Sequence, residues 1–252
     1  MGKKIKMIII AIPIIGVLIY LGFIFLYTGT VNYELSEDGT YYVVKSVSDG
    51  PIRKNEEVEI SETYKKLPVK GILWGALSNE AISSVTLPKT LEGINSVAFE
   101  GSAYYNNEAS WEITYLQDGS GRELYRALYV SNYLIEVRYN DELIGENGTL
   151  PTVVVKDGTL GIAEGAFKST NPDATYSTVS VKIESDDLSF VGIGAGAYRR
   201  SKGMFDIECG GYIIYYDGLM SDWNEFETEG VTHEAMYRIR CQDGVIDLTE
   251  EP

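Results

Sequence analysis

One pattern written more than once limits what this chain can fold into. Val153–Thr170 reads VVVKDGTLGIAEGAFKST, and Val85–Ser102 reads VTLPKTLEGINSVAFEGS. In both, Val or Leu fills offsets 0 and 2, Ile falls at offset 9, and Ala-Phe closes at offsets 13 and 14. Two looser copies flank them. In one, Val58 and Ile60 stand two apart and Ile72 lies four residues before Ala76-Leu77. In the other, Val181 and Ile183 stand two apart and Ile193 lies four residues before Ala197-Tyr198. Apolar residues two apart on a strand point to one face. An Ile followed four residues later by Ala and a large apolar residue reads as one helical or 3₁₀ turn laid on the same core. No such unit can bury its own face, so neighbours must stack and the product is a solenoid.

The Ala-to-Ala steps are 22, 68 and 31 residues, the longest close to three units. A unit of this length with one strand and one short helix belongs to the leucine-rich-repeat class. The fold class expected is therefore an α/β-type repeat solenoid of short strands and short helical turns, with β-rich caps. Within the long step, Leu128, Val130, Tyr133, Ile135 and Val137 predict a strand hairpin closing around Ser131-Asn132. Before the first unit, Tyr33–Val47 alternates around Ser-Glu-Asp-Gly and predicts another hairpin. After the last, Leu219, Trp223 and Phe226 have helical spacing between strand-like segments, as a terminal cap requires.

Residues 7–27, MIIIAIPIIGVLIYLGFIFLY, carry no charged side chain and are long enough to cross about 30 Å of hydrocarbon as a helix. Lys3, Lys4 and Lys6 precede this run and no base follows until Lys45, which predicts a cytoplasmic N-terminus and an extracellular remainder. A cleaved signal peptide competes, but its apolar core is usually about 7–15 residues and ends in an A-x-A-like site. The expectation is one uncleaved transmembrane helix. The organisation that follows is a basic tail (1–6), an anchor (7–27), a linker and hairpin cap (28–54), repeats (55–204) with an excursion at about 103–150, and a C-terminal cap (205–252).

Past the apolar run the chain holds 18 bases against 37 acids. Such a surface repels phosphate backbones and argues against nucleic acid as a partner. Cys209 and Cys241 could form a disulfide closing the last coil, or stand as two separately buried thiols.

Catalytic sets are hard to find. His233 is the one histidine, no G-x-S-x-G elbow accompanies it, and GVTHEAM lacks the second His of a zinc-protease helix. GIGAG at Gly192–Gly196 is not a dinucleotide fingerprint. The carboxylates Asp186, Asp187, Asp217, Asp222, Glu225 and Glu227 could serve a hydrolase, yet no spacing singles out a pair. No enzyme activity, cofactor or metal is expected. Tyrosine is abundant, 19 in all, and each one offers an apolar ring and a hydroxyl for recognition. Tyr104, Tyr105, Tyr125, Tyr129 and Tyr139 are the candidate ligand contacts.

The V-x-L-P-x-x-L-x-x-I-x-x-x-A-F run of Val85–Phe99 resembles the BspA-type leucine-rich repeat of bacterial surface proteins, as do ALYVSNYLIEV, VVVKDGTLGIAEGAF, IIYYDGLMSDWNEF and IRCQDG. The resemblance covers about residues 55–246. It implies a curved solenoid displayed at the cell surface and binding a protein or a glycan without catalysis. The alternatives are an extracytoplasmic carboxylate-dependent hydrolase and a passive structural or assembly subunit. The expected contacts are thus an unidentified protein or glycan and, through residues 7–27, the lipid bilayer.

Overall fold

Val and Ile placed two apart form short strands wherever one of their faces can be covered, and the coils of this chain do so in succession. In the computed structural model, residues 29–50, 56–143, 150–167, 178–185, 187–193, 196–198, 204–208, 213–224 and 238–247 are described. They begin with an antiparallel hairpin of β1 (Thr30–Leu35) and β2 (Tyr42–Ser48), whose turn runs through Ser36–Gly39. The first coil follows: β3 (Glu57–Glu59), β4 (Thr63–Tyr64) and β5 (Leu67–Ile72). The second holds β6 (Ser84–Thr86) and β7 (Gly93–Ile94). A lateral excursion comes next, with a short helix α1 (Ala103–Asn106), then β8 (Trp111–Tyr115), β9 (Glu123–Val130) and β10 (Tyr133–Tyr139). Two further coils carry β11 (Val153–Val155), β12 (Gly161–Ile162), β13 (Thr178–Ile183) and β14 (Phe190–Ile193), and β15 (Gly196–Tyr198) folds back on β14. The end is built from β16 (Met204–Glu208), β17 (Ile213–Tyr216), helix α2 (Met220–Asn224), β18 (Arg238–Cys241) and β19 (Gly244–Asp247).

The result is a β-solenoid of about four turns. Its coils are in register where the repeat places them. β3 and β6 run parallel with Val58 opposite Val85, and β11 and β13 run parallel with Val153 opposite Val181 and Val155 opposite Ile183. On the other wall β5 and β7 run parallel with Ile72 opposite Ile94. Ala76, Leu77, Ala98, Phe99, Ala166 and Phe167 are all buried between them, in one cluster with Ile94 and Ile162. Each buried Phe contributes on the order of 2–3 kcal/mol of burial energy.

The expected leucine-rich-repeat geometry is overturned. The Ile of each unit sits on a second short strand rather than at the head of a helix, so each coil has two strand walls instead of a strand and a helix. Of the segments that close the units, Ser96–Phe99 forms a single 3₁₀ turn, while Gly75 before Ala76-Leu77 and Gly165 before Ala166-Phe167 take positive φ in plain turns. An Ala four positions after Ile suits a strand end followed by a tight turn as well as it suits one helical turn, and Gly one position before Ala tips the balance. The fourth copy departs further. Val191 pairs with Tyr198 in a hairpin, and Ile162 lies opposite Val191 rather than Ile193.

Both expected hairpins are present, and they are seated alike. Leu73 N–H donates to Val44 O and Val47 N–H to Ala76 O; 90 residues later Ala163 N–H donates to Leu134 O and Val137 N–H to Ala166 O. Each hairpin thus leans its second strand, β2 or β10, against the second wall of a coil and holds its first strand outward. The β9–β10 turn places Ser131 and Asn132 at φ 46° and 69°, the left-handed pair that a two-residue hairpin loop requires. Among the described residues no helix is long and apolar enough to cross a membrane, and residues 7–27 lie outside them.

Candidate functional site

The excursion projects a three-stranded wing whose outer face is set by strand alternation. Trp111 stands opposite Leu128, which stands opposite Glu136; in the next row Ile113, Arg126 and Arg138 face one another across β8, β9 and β10. Two arginines in direct cross-strand register repel each other unless acids intervene. Here they do. Arg126 pairs with Glu123 at 2.6 Å and with Glu108, and Arg138 Nε donates to Glu136 Oε1 at 3.0 Å.

Helix α1 lays Tyr105 over this face. Ser102 caps the helix by accepting from Tyr105 N–H, and its side chain is fully buried, which holds the tyrosine in place. The Tyr105 and Trp111 rings meet edge to face at 5.6 Å, and the Arg138 guanidinium lies 3.9 Å from the Trp111 centroid and 4.6 Å from that of Tyr105. Tyr105 OH donates to Glu136 Oε2 at 2.8 Å, and Trp111 Nε1 donates to Tyr105 O at 2.9 Å. Burial, and then the Glu136 carboxylate, push the Tyr105 phenol up to about 12, so it stays a donor at any physiological pH. Beyond this cluster Ile113 and Tyr115 are 40% and 49% exposed. β8 ends its sheet, and among the described residues no strand pairs with its outer edge.

The other face of the wing turns inward. Tyr125 and Tyr139 face each other in register and are buried there, and Tyr125 OH accepts from Val154 N–H at 3.2 Å. Tyr129 is half-buried, with Lys156 Nζ 4.0 Å from its ring centroid and its own carbonyl accepting from Tyr104 OH; Lys156 also pairs with Glu112. Burial raises the Tyr129 phenol to about 12 and the Tyr104 phenol in the same direction. Of the five candidate tyrosines, Tyr105 is therefore the one set into the outer cluster, Tyr125 and Tyr139 pack the interior, and Tyr104 and Tyr129 brace the wing.

Trp111, Ile113, Tyr115, Glu136 and Arg138 escaped the sequence reading. The signal was WEITY, whose large residues alternate onto one face while Glu112 and Thr114 take the other.

Cys241 ends β18, partly covered, with its thiol raised by burial and by Asp243 and Asp222; Cys209, His233, Asp186, Glu225 and Glu227 lie outside the described residues. Asp217 accepts from Gln242 Nε2, and Asp222 accepts from Leu219 N–H in the first turn of α2. Among the described residues no three of His, Cys, Asp and Glu gather where a metal could be held. The outer face offers the exposed Ile113 and Tyr115 side chains and a planar cation beside a strand edge left unpaired among the described residues, a set suited to recognition. Compared with family models, with curated proteins and with solved structures, the chain matches none.

Proposed function

We propose that the protein is a membrane-anchored β-solenoid displayed at the cell surface, which binds an extended segment of another protein along β8 without chemical turnover. The observation that carries this reading is the β8 edge, unpaired among the described residues, with Ile113 and Tyr115 exposed beside the Tyr105–Trp111–Arg138 cluster. An added strand would gain main-chain hydrogen bonds from the edge and side-chain selectivity from every second position. Exposed apolar edge strands invite aggregation and are usually blunted by charge, bulge or cover. β8 has a register shift between Thr114 and Tyr115 but keeps its apolar side chains outward. Display and anchoring are supported by the uncharged run at residues 7–27 and by the motif resemblance to bacterial surface proteins.

The test uses the full chain in lipid nanodiscs against a displayed-peptide library. Selection is expected to enrich segments of alternating apolar residues. Ile113→Lys with Tyr115→Lys, which should leave the buried wing intact, is expected to weaken the selected peptides by roughly tenfold or more. Equal binding by the variant would overturn the proposal.

A further inference from the structure

At the N-terminal end of the solenoid a second surface is left uncovered. Trp74 is 73% exposed and Leu73, beside it, 39%. In the next two coils the residues at the same place, two before the repeat alanine, are Ser96 and Glu164, both at least partly covered. A tryptophan with most of its surface in water is unusual, because its ring is the largest apolar payload a residue can bury.

Its position relates it to the segment that precedes the fold. Val47 N–H donates to Ala76 O, and Ser48, the next residue, pairs with Thr30 at the start of β1. Thr30 therefore lies about two strand spacings, roughly 10 Å, from the turn that carries Trp74. The uncharged run 7–27 ends three residues before Thr30.

Charge is distributed to match. Residues 28–89 hold 7 bases and 9 acids, whereas residues 90–252 hold 11 bases and 28 acids, so the part of the sequence next to the uncharged run is the less acidic one. Two of those bases are placed in a conformation that side chains rarely adopt. Lys65 and Lys66 form the two-residue turn between β4 and β5 at φ 47° and 74°, where Asn-Gly would be unstrained. Both are exposed, and among the described residues neither pairs with a carboxylate. β5 runs from this turn to Leu73-Trp74, so the first coil shows a lysine pair at one end and an apolar pair at the other, about 20 Å apart. A bilayer surface is wide enough to meet both.

We infer that this end of the solenoid rests on the lipid bilayer, with Trp74 and Leu73 in the boundary between headgroups and acyl chains and Lys65-Lys66 against anionic headgroups. The inference builds on the anchor reading of residues 7–27 and adds an orientation to it: the acidic coils and the β8 wing point away from the membrane. Tryptophan suits that boundary because its ring is apolar and its N–H remains solvated, and lysines there are drawn to anionic lipid.

The full chain reconstituted into vesicles of equimolar phosphatidylcholine and phosphatidylglycerol supplies the test. Flotation reads the anchor, and quenching of tryptophan emission by brominated acyl chains reads the contact. The difference between wild type and Trp74→Phe isolates Trp74 from Trp111 and Trp223. Expected is a Trp74 emission quenched about twofold or more by brominated lipid. In Lys65→Asn/Lys66→Gly that quenching should weaken on the anionic vesicles while the melting temperature holds or rises, which separates lost contact from lost fold. If the protein floats and Trp74 is not quenched, this inference alone fails. If it does not float, the anchor reading fails and takes the inference with it. Trp74 shielded from aqueous iodide yet untouched by brominated lipid would mean that protein, a second copy or another chain, covers it, and would equally overturn the proposal.

Discussion

Gly71, Gly93 and Gly161 occupy the same place in successive coils, each just before the inward Ile, yet their surroundings differ. A methyl group at Gly161 would lie 2.3–2.7 Å from the Phe190 ring, one at Gly71 would touch Val43 at 3.0 Å, and one at Gly93 would meet nothing within 4 Å. Phe190 cannot swing aside, since it is fully buried and stacked on Tyr133 at 5.8 Å. Gly161→Ala is therefore expected to destabilise by about 1–3 kcal/mol through overpacking. Gly93→Ala, whose φ is not in the left-handed region, should be neutral or stabilise by about 0.5 kcal/mol by narrowing the unfolded ensemble. Urea unfolding of both variants reads the contrast. Similar midpoints would show that the glycine is a repeat habit rather than a steric need at one coil.

At the level of strands and turns, the first wall of the coils was legible in the sequence and the second was not. Val58, Val85, Val153 and Val181 recur two residues from another apolar residue, and the period of two has one structural reading. The interval from Ile94 to Ala98 fits a helical turn and a strand-plus-turn equally, because four residues are too few to show a period. The wing hairpin could be placed to the residue, since Ser131-Asn132 interrupts two apolar runs. Its exposed face could not, because Tyr105 reaches Trp111 and Arg138 through tertiary packing alone. The seam between the second and third coils is another feature that only three dimensions reveal. There Glu164 N–H donates to Ile94 O, Ser96 N–H donates to Glu164 O, and Asn95 Nδ2 reaches the Glu164 carboxylate at 3.4 Å. Burial holds that carboxyl above its ordinary 4.5, with Asn95 opposing only in part. A carboxyl raised in the folded state binds its proton more tightly there than in the unfolded chain. Its contribution is fully present below the ordinary value and is lost as pH rises from 4.5 through the raised value. Glu164→Gln keeps an acceptor for Asn95 and removes the charge. It should raise the melting temperature at neutral pH and leave it unchanged well below 4.5. A variant less stable than wild type at neutral pH would mean that the ionised carboxylate is used in the seam.

For the molecule as a whole, stacking makes stability a chain of nearest-neighbour couplings strung along one continuous apolar interior. Phe99 is the best place to measure this. It is fully buried, and its neighbour Ala98 accepts from Leu77 N–H at 2.7 Å, so the turn it fills sits between the first coil and the third. Phe99→Ala should cost about 3–5 kcal/mol where the loss is felt, from burial and the cavity left behind. Native-state hydrogen exchange shows where that is. Amides of Val69–Leu77 and of Gly161–Phe167 should lose protection strongly, because both segments pack against the vacated turn. The β18–β19 hairpin, held by its own register from Arg238 opposite Asp247 to Cys241 opposite Gly244, should keep most of its protection. An equal loss at every amide would mean that the coils, the wing and the terminal sheet unfold as one unit, and would rule out nearest-neighbour coupling as the source of stability. The graded outcome has a consequence for binding. A ligand strand on β8 would then firm up the wing and, through β10 and β12, the third coil beside it, while the protection of the first coil stayed unchanged.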